Sequence, residues 1–129
     1  MQRLPALSIA IFGACIFAVT ATAQGASYLC QGTDPDWTIE LGPDSAQFTY
    51  GRSFRFSIPQ RNSAQNRDWP RAMTLLEDQQ RYTAIVVMDQ KACTTDLGDY
   101  AYSAYVLTQR ASAPIMLAGC CDLVAKDAE

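Results

Sequence analysis

Cysteines are the residues in this chain whose type and spacing point most directly to a chemical role. Cys30 and Cys93 stand alone, whereas Cys120 and Cys121 are adjacent and follow Gly119. A neighbouring pair could exchange disulfides or bind a metal ion, but no Cys-x-x-Cys motif is present. On a strand, successive side chains point to opposite faces, so each member of the pair needs a different partner. We expect two structural disulfides, one formed by Cys93 and one by Cys30, and the choice between Cys120 and Cys121 stays open.

Histidine is absent, and its absence excludes several kinds of catalytic site. The chain cannot form a Ser-His-Asp or Cys-His nucleophile system, or a zinc site with histidine ligands. Carboxylates remain, and Asp34 with Asp99 could do acid–base chemistry if the fold brought them together. Asp89, Asp96 and Asp99 match no established calcium-binding loop. We therefore predict no catalytic residue, no cofactor and no bound metal ion.

Arginine is the other residue type with a clear chemical use, because guanidinium groups bind carboxylates and phosphates bidentately. The central third of the chain contains Arg52, Arg55, Arg61, Arg67, Arg71 and Arg81. A face for an anionic partner is one interpretation, and a solvated surface is the other. The candidate partner-binding residues are Arg61, Arg67, Trp69 and Arg71. They lie in the polar stretch 60–71, which we predict to be a mobile loop.

The first 23 residues have the pattern of a secretory signal peptide. Arg3 is the only charge, a mostly apolar run covers residues 7–19, and small residues lead up to Ala23. The run is short for a retained membrane anchor, which needs about 20 apolar residues. A lipoprotein anchored at Cys15 is the alternative, but the hydrophobic run continues past that cysteine. We predict cleavage near Ala23, no transmembrane span after cleavage, and a periplasmic or secreted protein.

Residues 24–129 are predicted to form one domain built from short strands. Apolar and polar residues alternate in 37–41, and the apolar residues of 48–58 keep the same spacing; the other strand candidates are 28–30, 72–76, 82–88, 100–107 and 115–118. Gly51 indicates a hairpin or a bulge within 48–58, Pro59 is expected to end that segment, and 89–99 is predicted to be a loop. About eight antiparallel strands predict an all-β fold, either a small closed barrel or a β-sandwich. Closing a barrel would bring Cys30 near the Cys120–Cys121 pair.

Three segments of the chain carry a resemblance to a known family. They read Gly32-Thr33-Asp34-Pro35-Asp36-Trp37, then Cys93 to Tyr102, then Leu117-Ala118-Gly119-Cys120-Cys121. They are similar to the motifs Gly-x-Glu-Pro-x-Trp, Cys-Ser-Asp-Gly-Met-Ser-Asp-x-x-Tyr-Pro and Leu-x-Gly-Cys of an uncharacterised family of small bacterial envelope proteins, usually labelled predicted membrane proteins or lipoproteins. The matching residues are Gly32, Pro35, Trp37, Cys93, Asp99, Tyr102, Gly119 and Cys120.

The resemblance covers nearly all of residues 24–129, and its departures bear on function. The chain differs from the family at three positions, with Asp34 for Glu, Thr95 for Asp and Ser103 for Pro. If the acidic positions of the family form a site, half of that site is lost here. The family has no established activity, so the resemblance implies an envelope protein and a fold but no reaction. It also implies that Cys93 pairs with Cys120, which leaves Cys30 for Cys121.

The predicted function is that of a non-enzymatic exported interaction or binding module. A rigid barrel with a polar loop suits the binding of an envelope protein or a glycan, and small exported disulfide barrels that inhibit lysozymes are an analogy. Trp37 could stack on such a ligand, but its alternating strand predicts a core residue. The net charge of −3 opposes non-specific nucleic-acid binding. A carrier for a small apolar ligand is the alternative, and an enzyme using Asp34 with Asp99 is third.

Overall fold

A computed structural model of the chain describes residues 26–79, 82–109 and 113–124, together with Gly13 and Cys15. The predicted signal peptide, 1–23, lies outside this described part apart from those two residues, and Arg81 lies outside it as well. Cys15 is exposed and has a free thiol.

Ten β-strands and no helix occur in the described part of the chain. They are β1 (Tyr28–Gly32), β2 (Trp37–Leu41), β3 (Ser45–Tyr50), β4 (Arg52–Ser63), β5 (Arg71–Leu76), β6 (Thr83–Asp89), β7 (Cys93–Thr95), β8 (Gly98–Tyr100), β9 (Tyr102–Gln109) and β10 (Pro114–Leu123). Eight of them form a closed antiparallel barrel in the order β1-β2-β3-β4-β5-β6-β9-β10, and β10 pairs with β1. The β7–β8 hairpin is an insertion between β6 and β9. The prediction of a small eight-stranded barrel is confirmed, and the β-sandwich alternative does not apply.

Alternation in the sequence explains how the barrel interior is filled. In β2, Trp37, Ile39 and Leu41 are buried, and the two residues between them are exposed. The other strands contribute large buried side chains in the same way, namely Phe48, Phe56, Leu75, Val86, Met88 and Val106. An eight-stranded barrel is just wide enough inside for its own side chains. These residues therefore close the middle of the barrel.

The barrel has two ends, and each is named here after a buried aromatic residue that lies there. At the Tyr28 end β1 begins, and the connections 42–44 and 64–70 are found there. At the Trp37 end β2 begins, and the connection 33–36 and the Gly51 turn are found there. Gly51 has a φ of 70°, in the left-handed region that glycine adopts without steric cost. The turn at Gly51 makes β3 and β4 a hairpin, which was one of the two predicted alternatives.

Strand β4 is longer than its sequence indicates, and this corrects two predictions. The prediction that Pro59 ends the strand is wrong, because β4 continues to Ser63. The register with β5 shifts between residues 57 and 60, so Pro59, which has no N–H to donate, lies in an irregularity of the ladder. The predicted loop 60–71 is correspondingly reduced to 64–70, because pairing with β5 supplies hydrogen bonds that the polar composition does not reveal.

Candidate binding surfaces

Both predicted disulfides are present. Cys30 lies directly opposite Cys121 in the β1–β10 ladder and is bonded to it, with 4.0 Å between the Cα atoms. Cys120 points to the other side of β10 and is bonded to Cys93 in β7, with 5.6 Å between the Cα atoms. The expectation that the adjacent cysteines face opposite ways is confirmed, and so is the pairing that the family resemblance implies. Two structural disulfides are typical of an exported protein in an oxidising environment.

The β7–β8 hairpin occupies most of the segment 89–99, so the prediction of a loop there is wrong. Besides the disulfide to β10, the hairpin region is held to the outside of the barrel by two hydrogen bonds. Gln31 Nε2 donates to Tyr100 Oη at 2.6 Å, and the Ala101 N–H donates to Asp122 Oδ1 at 3.3 Å. Strands of three residues each are too short to show alternation, which is why the sequence does not reveal them.

Three motif residues build one packed cluster at the Trp37 end. The Trp37 side chain is 2% exposed, and its indole N–H donates to Ala118 O at 3.2 Å. A Cβ atom at Gly32 would lie 2.1 Å from Trp37 Nε1, and one at Gly119 would lie 2.7 Å from Trp37 Cζ2 and 2.1 Å from Gln31 O. The two glycines therefore leave the space that the indole fills. The prediction that Trp37 is a core residue is confirmed.

The other residues of the first two motifs lie on the surface or near the Tyr28 end. Asp34 and Pro35 are exposed in the turn after β1, and the peptide bond between them is cis. Asp99 is exposed in β8, and its carboxylate accepts a hydrogen bond from Thr94 Oγ1 at 2.9 Å. Tyr102 is partly buried at the start of β9. The motif residues thus form no single site in the described structure.

An open cleft of about 450 Å³ lies at the Trp37 end, between the hairpin tip and the turn after β1. Asp36 and Leu97 line this cleft, whereas Asp34 and Asp99 do not. Within the described ranges, no group of three or more cysteine, aspartate or glutamate side chains could hold a metal ion. The cleft therefore does not present the carboxylate pair that the enzyme hypothesis needs.

Two arginines stand at inward-facing positions of the strands at the Tyr28 end, where Arg61 is exposed and Arg71 is partly buried. Residues directly opposite each other in antiparallel strands point to the same face of the sheet. Arg61 is opposite the buried Met73, and Arg71 is opposite the buried Met88, so both arginines belong to the inner face. They border a pocket of about 190 Å³, which we call the Tyr28 mouth. Its lining residues are Tyr28, Arg61, Asn62, Ser63, Arg71, Ala72, Met73 and Met88.

A chain of aromatic contacts joins the mouth to the 64–70 loop. The Tyr28 and Tyr102 rings meet edge to face with their centroids 5.4 Å apart, and the Trp69 ring lies 5.2 Å from that of Tyr102. Arg71 Cζ lies 4.2 Å from the centroid of the Trp69 ring, which is the geometry of a cation–π contact. The loop itself is closed by a bond from the Ala64 N–H to Pro70 O at 2.9 Å. Trp69 and Arg71 are therefore placed by packing at the edge of the mouth.

The hydrogen bonds of the two guanidinium groups run to neutral acceptors. Arg71 Nε donates to Asp68 O at 2.9 Å. Arg61 Nη2 donates to Gly42 O and, at 2.9 Å, to Pro43 O, so its side chain bridges from β4 to the turn after β2. Among the described residues neither guanidinium group forms an ion pair with a carboxylate. Both positive charges at the mouth are therefore left without a negative partner from this part of the chain.

Tyr28 is 7% exposed, and the charges of both arginines influence the pKa of its phenol. Burial raises the pKa of Tyr28 above its ordinary value, and the neighbouring Tyr102 raises that pKa further. The charges of Arg71 and Arg61 act in the opposite direction and lower the pKa. The net effect is upward, so Tyr28 keeps its proton at neutral pH and presents a hydroxyl group near both guanidinium groups.

Three of the four predicted partner-binding residues are brought together, and one is not. Arg61 and Arg71 line the Tyr28 mouth, and Trp69 lies beside it in contact with Arg71. Arg67 is exposed in the loop, where its backbone N–H donates to Ala64 O at 3.1 Å, and it does not line the mouth. Tyr28 and Ser63 were not among the predicted residues. Tyr28 comes from β1 and joins the arginines only when the barrel closes, whereas Ser63 lies directly opposite Arg71 in the β4–β5 ladder.

The outer surface of one half of the barrel is apolar, a feature that was not predicted from the sequence. Side chains of β5, β6, β9 and β10 are aligned there in two rows that cross the strands. One row is Thr74, Ile85, Leu107 and Met116, and the other is Ala72, Val87, Tyr105 and Ala118. We call these eight residues the apolar face. Ile85, Leu107 and Met116 are 44%, 44% and 65% exposed, although they lie side by side.

The outer surface of the other half of the barrel is polar. Its corresponding rows across β1 to β4 are Leu29, Glu40, Gln47 and Arg55, and Gln31, Thr38, Thr49 and Ser53. A cleft of about 490 Å³ at the Tyr28 end of this half is lined by side chains of mixed polarity, among them Glu40 and Arg55. The barrel is thus two-sided, with a charged and polar half and an apolar face that carries no charge.

Together the fold and surfaces define a disulfide-stapled, up-and-down β-barrel of exported type with one apolar face. No family model, curated protein or solved structure matches the chain. The resemblance to small bacterial envelope proteins therefore stays a prediction. No helix within the described ranges is long and apolar enough to cross a membrane.

Proposed function

We propose that this protein is an exported, non-enzymatic interaction module that binds a partner protein through its apolar face. The observation that carries the proposal is the pair of uncharged rows across β5, β6, β9 and β10, where large apolar side chains are exposed side by side. Contiguous exposed apolar patches on soluble proteins mark interaction surfaces. The polar half of the same barrel shows that this exposure is a property of one face and not of the whole surface.

The chemistry of the face narrows the class of partner. None of its eight residues is charged, so the matching surface has to be uncharged and largely apolar as well, because an unpaired charge would be desolvated on docking. A glycan or a nucleic acid presents too few apolar groups to cover Ile85, Leu107 and Met116 together. Tyr105 adds an aromatic anchor of the kind enriched at the centre of protein interfaces. We infer a protein partner, and the predicted location after cleavage near Ala23 makes it an envelope protein of the bacterial periplasm.

Two other functions have weaker support. The carrier hypothesis requires a spacious interior, but large buried side chains such as Phe48, Phe56 and Leu75 occupy the middle of this barrel. The enzyme hypothesis rests on Asp34 and Asp99, which are both exposed and which share none of the pockets described above. Neither hypothesis is supported by a feature comparable to the apolar face.

Site-specific photo-crosslinking in cells tests the proposal. A benzophenone amino acid replaces Tyr105 on the apolar face in one variant and Gln47 on the polar half in the control. We expect a discrete crosslinked product from position 105 and none from position 47. Mass spectrometry of the product identifies the partner, and a product of twice the mass of the chain would identify a second copy.

A second variant confirms that the face itself binds. Leu107→Lys in the Tyr105 crosslinking background should abolish the product, because it places a charge in the interface. It should leave the thermal midpoint nearly unchanged, because the Leu107 side chain is 44% exposed. Equal crosslinking from positions 105 and 47, or crosslinking that survives Leu107→Lys, would refute binding through this face.

A further inference from the structure

We propose that the Tyr28 mouth is a binding site for a small ligand that carries a carboxylate or phosphate group. This site is separate from the protein-binding function proposed above. The proposal rests on the position of the arginines, since Arg61 and Arg71 stand at inward-facing positions of the barrel, opposite buried methionines. Arg61 is exposed and Arg71 is partly buried, so both guanidinium groups lie at the rim of the mouth, where a ligand from solvent can reach them.

The donors at the mouth suit an oxyanion. Arg71 uses Nε to bond Asp68 O and its face to contact Trp69, so both of its terminal amino groups remain available to a ligand. Arg61 is anchored through Nη2 by carbonyl oxygens of the 42–44 turn and through Nη1 by Met73 Sδ at 3.7 Å, which fixes its position without neutralising its charge. Tyr28 and Ser63 line the same pocket, and their hydroxyl groups are the neutral donors that these residues can offer a ligand. Guanidinium groups bind carboxylates and phosphates bidentately, which is the chemistry that this set of donors provides.

Electrostatics favours an anion at this position. Arg61 and Arg71 both lower the pKa of the Tyr28 phenol, so both charges act on one point in the mouth. A bound anion would interact favourably with both charges. Within the described ranges no carboxylate of this chain pairs with either of them.

The size of the pocket sets the size of the ligand group. Its volume of about 190 Å³ is small beside ordinary ligand pockets, which span roughly 300 to 1,000 Å³. At about 30 Å³ per water molecule, the pocket equals roughly six waters. One carboxylate or phosphate with a few further atoms fills that space, and the Met73 and Met88 side chains at its base suit an apolar portion of the ligand.

The competing explanation is that the arginines only cover the end of the core. Arginine can lay its aliphatic stem along apolar surface while its charged head remains in water. Under that explanation the mouth has no affinity for anions beyond non-specific attraction. A specific site instead saturates, and its affinity depends on Arg61 and Arg71. Arg55, which faces outward on β4 like the other residues of its row, does not contribute to that affinity.

Titration of the purified protein with sodium phosphate, acetate and benzoate at constant ionic strength tests the proposal. Calorimetry measures affinity, and the fluorescence of Trp69 reports on the mouth because Trp37 is buried at the other end of the barrel. We expect at least one probe to bind saturably with a Kd below about 10 mM. Tighter binding of acetate or benzoate identifies a carboxylate ligand, and tighter binding of phosphate identifies a phosphate ligand.

Two variants and a matched control separate a site from a covered core. Arg71→Gln should weaken binding at least about tenfold, because charge-assisted hydrogen bonds are lost. Tyr28→Phe keeps the ring and should weaken binding several-fold through loss of one donor. Arg55→Gln, on the outer face of β4, should leave the affinity unchanged. Absence of saturable binding by all three probes, or equal weakening by Arg55→Gln and Arg71→Gln in variants with unchanged near-ultraviolet circular dichroism, would overturn the proposal.

Discussion

At the scale of single residues, Gly119 shows how closely two distant parts of the chain approach in this barrel. A methyl group at Gly119 would lie 2.1 Å from Gln31 O and 2.7 Å from Trp37 Cζ2. One of these atoms belongs to the backbone of β1, and the other belongs to a fully packed indole, so neither can move aside cheaply. Gly119 is therefore required by close approach and not by its backbone conformation.

We predict that Gly119→Ala lowers the free energy of unfolding by about 3 kcal/mol, the upper part of the usual range for an overpacked core. The neighbouring exposed Ala118 provides the control, and Ala118→Ser should change the free energy by less than about 0.5 kcal/mol. Urea unfolding followed by tryptophan fluorescence measures both. A loss for Gly119→Ala no larger than that for Ala118→Ser would show that the strands can separate to admit the methyl group.

Trp37 and Gly119 also show which features of single residues can be predicted from the sequence. Burial of Trp37 follows from the alternation of β2, which is a local property of the sequence. The contact of Trp37 with Gly119 is not local, because it depends on β1 pairing with β10. For the same reason Arg61 and Arg71 could be named as candidates from their type, whereas Tyr28 could not be joined to them until the barrel was closed.

At the scale of elements, the end of β4 and the β7–β8 hairpin are strands that the sequence pattern predicts to be loops. The last residues of β4 are all exposed and polar, so they look like a loop, although they pair with β5 as far as Ser63. The strand continues past Pro59 because the register shift removes the need for its N–H. This extension places Arg61 and Ser63 at the Tyr28 mouth. The element that the sequence hides is therefore the one that builds the proposed anion site.

The hairpin gives the second prediction, because a disulfide joins it to the barrel and no backbone ladder does. The Cys93–Cys120 bond closes a separation of 27 residues. For such a loop the chain-entropy account gives about 3.5 kcal/mol of stabilisation. We predict that Cys93→Ala with Cys120→Ala raises amide hydrogen exchange across residues 93–100, while exchange in β2 and β3 changes little. The reason is that the hairpin pairs with no barrel strand in the sheet.

A milder variant tests the same element without touching a cysteine. Gln31→Ala removes the side-chain bond to Tyr100 and should raise exchange in the hairpin by a smaller amount. If the double cysteine variant leaves the protection of residues 93–100 unchanged, packing alone would hold the hairpin, and the disulfide would be dispensable for its position.

At the scale of the whole molecule, the order of strands around the barrel separates its two surfaces. Because each barrel strand pairs with its neighbours in sequence, β1 to β4 form one half and β5, β6, β9 and β10 form the other. The first half alternates cleanly between apolar and polar residues, as in β2, whereas β6 and β9 carry apolar residues at inward and outward positions alike. Such strands resemble those of a sheet that is covered on both sides. The composition of these strands was visible in the sequence, but the joining of their outer residues into one face required the register.

The closure of the barrel by β1 and β10 gives the last prediction. The Cys30–Cys121 bond joins directly opposite residues of these two strands and spans a separation of 91 residues. On the chain-entropy account this bond contributes about 4.6 kcal/mol, about 1 kcal/mol more than the hairpin bond. Cys30→Ala with Cys121→Ala should therefore cost more stability in urea unfolding than the matched Cys93→Ala, Cys120→Ala pair. The opposite ranking would mean that the hydrogen bonds between β1 and β10 close the barrel largely on their own, and that the bridge adds little to the free energy of unfolding.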